Sequence, residues 1–128
     1  LSPEIITEAR YLRGKAYMEA NEMSNALEDF QFISNDTRNV YGAEAQFILA
    51  DYYYKQKNYD RAESQVKDFM QKGTPHQYWM ARALIVLSDT YLAKGDDFQA
   101  RQYLESLRNN YRGEEEDIQQ MINARLGN

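Results

Sequence analysis

Apolar residues recur along the chain at spacings of three or four, a pattern typical of helices that bury one face. Within this pattern one arrangement occurs three times. A small residue is followed by tyrosine three places later, by alanine nine places after the tyrosine, and then by two large apolar residues. The small residues are Gly14, Ala50 and Ser88, which lie 36 and 38 residues apart. The sequence therefore predicts three similar helix pairs that stack, because one such pair cannot bury its apolar faces alone.

The repeated positions suit the contacts of closely packed helices. The small residue and the later alanine let two helices approach each other, and the tyrosine and the large apolar residues fill the space between them. The tyrosines are Tyr17, Tyr53 and Tyr91, and the alanines are Ala26, Ala62 and Ala100. The large apolar residues are Phe30 and Ile33, Val66 and Phe69, and Leu104 and Leu107.

Capping residues set the ends of the predicted helices. Ser2 before Pro3, and Thr74 before Pro75, each read as an N-cap with proline at the first helical position. Gly73 is typical of a helix C-terminus. The predicted helices cover about residues 3–20, 24–34, 41–56, 59–72, 75–95 and 97–110. A seventh helix, over about 114–127, is expected to cap the stack with an apolar face made of Ile118, Met121, Ile122 and Leu126.

The second copy resembles the tetratricopeptide repeat. The matching segments are Ala43-Glu44-Ala45, Leu49-Ala50, Tyr53-Tyr54-Lys55-Gln56 and Asn58-Tyr59-Asp60-Arg61-Ala62. The resemblance implies an all-α fold, an α-solenoid of three helix pairs plus a C-terminal capping helix, wound as a right-handed superhelix. It also implies a single domain over 1–128, with repeats at about 7–40, 43–75 and 81–112. The repeats are longer than the usual 34 residues, and in this they are similar to modules of bacterial envelope proteins. The likeness favours a bacterial envelope or periplasmic location over the cytoplasm.

Composition and charge remove several function classes. The net charge of −5 disfavours binding to nucleic acid or to anionic membranes. The longest apolar run, residues 83–87, is far too short to cross a bilayer. The chain has no cysteine, which excludes disulfides and thiolate metal sites. It shows no signal peptide and opens at Leu1, so we expect a processed product or a part of a longer protein.

Catalysis has little support in the sequence. His76 is the only histidine and is expected to be a solvated surface residue. There is no Gly-rich phosphate loop, no nucleophile elbow and no His–Glu metal motif. The acidic run at residues 114–117 is interpreted as favourable charge at a helix start. We therefore expect no catalytic residue, no metal and no cofactor.

In tetratricopeptide repeats the first helix of each pair lines a concave groove, and the resemblance implies which residues face it here. They are Tyr11, Lys15, Glu44, Phe47, Asp51, Tyr54, Arg82, Ile85 and Asp89. The aromatic and aliphatic members are expected to anchor a peptide, with charges of both signs around them. A clamp for a C-terminal carboxylate is not assembled at these positions. Alternatively, part of this apolar ladder packs against the adjacent helix.

The expected function is non-catalytic binding of a peptide or a partner protein, as one module of a larger scaffold or assembly protein. A purely structural role stays open, in which the segment spaces or dimerises a longer protein and the groove is empty or filled by the chain itself. An enzyme is the third alternative. No nucleic-acid partner and no membrane insertion are expected, and self-association is left open.

Overall fold

The computed structural model describes residues 1–127, and over that range it is all-helical with seven α-helices and no strand. Three consecutive pairs are followed by one further helix. The helices are α1 (Pro3–Glu19), α2 (Met23–Ile33), α3 (Val40–Lys55), α4 (Tyr59–Lys72), α5 (Gln77–Ala93), α6 (Asp97–Asn110) and α7 (Glu116–Leu126). The all-α solenoid architecture predicted from the repeat is therefore confirmed.

The turn inside each pair is the same in all three copies. Each turn contains one residue of positive φ, and these residues are Asn21 (62°), Lys57 (61°) and Gly95 (84°). In each turn a backbone N–H, from Glu22, Asn58 or Asp96, donates to the carbonyl of the repeated tyrosine at 2.8–2.9 Å. The backbone of the repeated tyrosine thus closes the turn in each copy, and its ring is buried at Tyr53 and Tyr91 and partly buried at Tyr17.

The start of α5 differs from the prediction. The helix begins at Gln77 after His76, and not at Pro75 with Thr74 as its cap. The Thr74 hydroxyl instead donates to the Thr37 carbonyl at 2.6 Å, and the Thr37 hydroxyl donates to the Gly73 carbonyl at the same distance. Thr74 therefore joins the loop before α3 to the loop before α5, and this tertiary contact takes the place of the cap.

Small residues bring the paired helices together as the repeat predicted. A Cβ added to Gly14 would lie 3.0 Å from the Phe30 ring, so glycine is what allows α1 and α2 to approach this closely. The three repeated alanines are fully buried. Successive pairs stack through α3, which packs on α1, α2 and α5, and through α5, which packs on α3 and α4.

The seventh helix packs against α5 and α6. Its Ile118 and Ile122 are fully buried and lie against Leu104 and Leu107 of the third pair. The predicted apolar face of α7 is therefore in contact with the end of the stack. No helix within residues 1–127 combines the length and the apolar character that crossing a membrane requires.

Candidate functional site

A cleft of about 500 Å³ lies across the first helices of the three pairs. It is bounded by α1, α3 and α5 because these helices lie side by side along the stack. Its size is that of a pocket for several side chains. Residues on its walls include Lys15 and Met18 of α1, Glu44, Phe47, Asp51 and Lys55 of α3, and Trp79 and Arg82 of α5.

An aromatic cluster forms the part of the cleft next to α5. The ring centroids of Phe47 and Trp79 are 5.6 Å apart, and the guanidinium carbon of Arg82 lies 4.4 Å from the centroid of Phe47. Arg82 also donates from Nη1 to the hydroxyl of Tyr78 at 2.8 Å, and that hydroxyl donates to Asp117 at 2.6 Å. The guanidinium is therefore held between a ring face and a hydroxyl, with its position set by α3, α5 and α7.

Arg82 differs from the other charged residues of the cleft in having no carboxylate partner. Within residues 1–127, none of the ion pairs includes it. Lys15 is paired with Glu44 at 2.8 Å, and Lys55 is paired with Asp51 at 2.8 Å. Arg82 is consequently the charge that the cleft presents to a ligand without first breaking an internal pair.

The carboxylate of Glu44 is held by hydrogen bonds within the protein. Only 7% of its surface is exposed, one carboxylate oxygen accepts from the Tyr11 hydroxyl at 2.8 Å, and the other accepts from Lys15. Burial, and then this hydrogen bond to the carboxylate, raise the pKa of Tyr11 well above its usual value. Tyr11 also stacks on Tyr41 at 4.2 Å, so it packs between α1 and α3 and is not one of the cleft walls.

The C-terminal part of the predicted groove is filled by α7. Ile85 is 3% exposed and packs in one cluster with Ile118 and Ile122. Both carboxylate oxygens of Asp89 accept hydrogen bonds from Arg125, at 2.7 and 2.8 Å. The expectation that Ile85 and Asp89 face an open groove is therefore wrong, because the capping helix α7 covers the part of α5 where they lie.

Tyr54 also lies outside the cleft. Its ring packs against two core clusters, one formed by α2, α3 and α4 and one formed by α3 to α6, and lies 5.8 Å from the ring of Tyr59. Burial is the main cause that raises the pKa of its hydroxyl, with Asp89 second. Of the nine predicted groove residues, the five that line the cleft are Lys15, Glu44, Phe47, Asp51 and Arg82.

Trp79 is a cleft residue that the sequence analysis missed. It lies near the start of α5, three residues before Arg82, and residues three apart share a helix face. The predicted start of α5 lies two residues before the observed one, which leaves Trp79 inside the predicted helix, so the spacing to Arg82 was the available signal. The groove positions that the tetratricopeptide resemblance implies do not include Trp79, because on α5 they begin at Arg82.

Metal-binding side chains and the single histidine are the groups that bear on a catalytic role. No group of three or more metal-binding side chains occurs within residues 1–127. His76 is partly exposed, and its Nε2 lies 2.7 Å from the Arg38 carbonyl oxygen. The ring therefore takes part in joining the loops before α3 and α5, where Thr74 also bonds.

Comparison with known proteins bears on the third helix pair. The family model described as tetratricopeptide repeat matches residues 77–113, which contain the whole of α5 and α6. No curated protein and no solved structure matches the chain significantly. Members of this family are in general protein-interaction modules and in general non-catalytic. The match supports the tetratricopeptide repeat family at the third pair, and the first two pairs repeat its buried alanines and its turn.

Proposed function

We propose that the chain is a non-catalytic module that binds a segment of a partner protein in the cleft between α1, α3 and α5. The observation that carries this proposal is the guanidinium of Arg82, which stacks on Phe47 beside Trp79 and is part of no ion pair among the described residues. Aromatic and arginine side chains that lie together in a cleft are the residues that contribute most to protein recognition. The ring faces accept an apolar side chain, and the guanidinium accepts a carboxylate.

The charges of the cleft favour an acidic ligand. Its acids, Glu44 and Asp51, already have cationic partners within the protein, whereas Arg82 has none. A segment with an acidic residue next to an apolar residue therefore matches the site best. The whole chain carries a net charge of −5, so the cleft attracts such a segment only at short range. We expect an affinity around micromolar, about −8 kcal/mol.

Selection from a library of random short peptides tests this function. The chain is immobilised and selected peptides are counter-screened against Arg82→Gln, which removes the charge and keeps a side chain of similar length. Arg101→Gln on the exposed surface of α6 is the matched control. We expect acidic–apolar peptides that lose at least tenfold in affinity with Arg82→Gln and keep it with Arg101→Gln. Equal binding to both variants would place the site elsewhere.

A structural role is the second candidate, because α7 already covers the end of the concave face at Ile85 and Asp89. A segment of the chain itself then acts as the occupant, and the domain serves as a rigid spacer. Under this alternative the library yields no peptide that distinguishes the parent chain from Arg82→Gln.

A further inference from the structure

Tyr78 contacts the arginine of the cleft although it is not one of the residues that line the cleft. Its side chain is partly buried and packs on the core cluster that α5, α6 and α7 form. Its hydroxyl lies between the Asp117 carboxylate, at 2.6 Å, and Nη1 of Arg82, at 2.8 Å. The hydroxyl therefore connects the first turn of α7 to the charged group of the cleft.

The hydrogen of this hydroxyl is donated to Asp117, and this determines what the oxygen offers to Arg82. A tyrosine hydroxyl has a single hydrogen and can also accept hydrogen bonds. Burial first, and the hydrogen bond to Asp117 second, raise the pKa of Tyr78 above its usual value, so the hydroxyl keeps its hydrogen at neutral pH. Toward the guanidinium the oxygen therefore acts as an acceptor, and it holds Nη1 of Arg82.

This contact leaves one edge of the Arg82 guanidinium without a hydrogen bond. A guanidinium carries five N–H groups in one plane, and within residues 1–127 Arg82 donates only from Nη1. Nε and Nη2, which form the side edge of the group, have no acceptor there. The stacking on Phe47, at 4.4 Å, covers a face of the plane and not its edges. Two parallel N–H groups in this arrangement match the two oxygens of a carboxylate.

Arg125 shows the same arrangement with a carboxylate in place. It donates from Nε and Nη2 to the two oxygens of Asp89, at 2.7 and 2.8 Å. Its Nη1 is held separately, by the Met121 carbonyl at 2.9 Å. Arg82 has Nη1 held in the same way, by the Tyr78 hydroxyl, and lacks only the carboxylate.

We infer that the Nε–Nη2 edge of Arg82 binds both oxygens of one aspartate or glutamate side chain of the partner segment, and that Tyr78 is the positioning residue for this contact. The inference rests on the proposed binding of an acidic segment in the cleft. A carboxamide side chain fits less well, because it offers one oxygen and its NH2 group faces a donor. Without the Tyr78 hydroxyl, Nη1 loses its acceptor, so the guanidinium can turn on the Phe47 ring and the edge is no longer held in one orientation.

Two peptides test this contact. One is the tightest acidic–apolar peptide selected from the library, and the other is a copy in which the corresponding amide replaces its acidic residue. The ratio of their dissociation constants, measured by fluorescence anisotropy, is the carboxylate preference. For the parent chain we expect at least about tenfold, as for hydrogen bonds to a charged group. Tyr78→Phe removes only the hydroxyl and should reduce this preference at least about threefold, while the amide peptide keeps its affinity.

Tyr111→Phe is the matched control. Tyr111 packs against the same core cluster as Tyr78, and its hydroxyl donates to another carboxylate, that of Glu115, at 2.9 Å. Within residues 1–127 that hydroxyl has no arginine partner. The carboxylate preference should therefore be unchanged in Tyr111→Phe. Circular dichroism and urea denaturation give the stability of both variants.

Arg82→Lys gives a second measurement, which does not depend on the folding of Tyr78→Phe. Lysine keeps the positive charge and has no planar edge, so the carboxylate preference should fall at least about threefold. A full preference in Arg82→Lys would show that charge alone is recognised and would overturn the inference. A full preference in Tyr78→Phe, or equal losses for the acidic and the amide peptide, would also overturn it, since a merely structural role of Tyr78 affects both peptides alike. A library that yields no peptide dependent on Arg82 would instead contradict the proposed function itself.

Discussion

Arg125 of α7 holds Asp89 of α5 through two hydrogen bonds, from Nε and Nη2 to the two carboxylate oxygens at 2.7 and 2.8 Å. The same arginine donates from Nη1 to the Met121 carbonyl within its own helix. This ion pair holds α7 over α5, the first helix of the third pair, and closes that end of the concave face. The open part of the face is thereby limited to the cleft that α1, α3 and α5 form.

Replacing Arg125 by alanine should loosen the capping helix. Asp89 would keep a partly buried carboxylate without its partner, and we expect a loss of about 1–3 kcal/mol in the free energy of unfolding. Urea denaturation followed by circular dichroism measures it. Arg101→Ala, on the exposed surface of α6, is the control and should change stability little. An unchanged urea midpoint for Arg125→Ala would mean that α7 is held by its apolar face alone.

Deleting residues 114–128 should expose Ile85, Leu104 and Leu107, which α7 covers. We expect lower solubility and concentration-dependent self-association, because an uncovered end of a solenoid presents apolar surface. Light scattering over a range of concentrations detects this. A truncated chain that keeps the solubility and mass of the parent would contradict a capping role for α7.

Local rules predicted the turns better than the loops between pairs. Helices α4 and α6 begin at Tyr59 and Asp97 as expected, since Asn58 and Asp96 accept hydrogen bonds as N-caps. The start of α5 was mispredicted because Thr74 forms a contact to Thr37, which is distant in sequence. Helix-capping preferences depend on neighbouring residues only, so they cannot predict a contact with a residue 37 positions away.

The candidate site was predictable only in part for a similar reason. Phe47 and Arg82 face the cleft because helical periodicity fixes their direction relative to neighbouring residues. The apolar face of α7 was recognised as a packing surface, yet its pattern does not specify which helix it covers. Ile85 was therefore assigned to an open groove, although it is buried in one cluster with Ile118 and Ile122.

Ala62→Leu should destabilise the second pair. Ala62 is fully buried between α3 and α4, and three additional carbon atoms have no space there. We expect a cost of about 1–3 kcal/mol from overpacking, measured by thermal or urea unfolding. Ala93→Leu, at the exposed end of α5, adds the same group where there is room. Equal stability of the two variants would show that Ala62 is not at the close contact between the helices.

Stability should fall in acid through Glu63. Hydrogen bonds from Lys67 at 2.7 Å and from Lys94 at 2.9 Å lower the pKa of this carboxyl group from 4.5 to about 2. A lowered pKa stabilises the fold at pH values above the unfolded pKa, and that contribution is lost as the pH falls towards the folded one.

The difference in unfolding free energy between the parent chain and Glu63→Gln should therefore be constant above about pH 5 and shrink between pH 4.5 and about 2. Urea denaturation at a series of pH values measures this difference. Glu105→Gln, at an exposed position on α6 that takes part in none of the ion pairs within residues 1–127, controls for the general effect of removing a carboxylate. A difference that grows in acid would contradict the ion-pair network around Glu63.

Tryptophan fluorescence tests the cleft as the binding site most directly, because Trp79 is the only tryptophan in the chain and lines the cleft. A peptide recovered from the library, free of tryptophan, is titrated into the chain and its binding is followed in parallel by fluorescence anisotropy of a labelled copy. Binding in the cleft predicts a saturable change in Trp79 emission with the same dissociation constant as the anisotropy curve, and its loss in Arg82→Gln. Saturable anisotropy with unchanged Trp79 emission, and equal affinity for Arg82→Gln, would contradict a site at Phe47, Trp79 and Arg82.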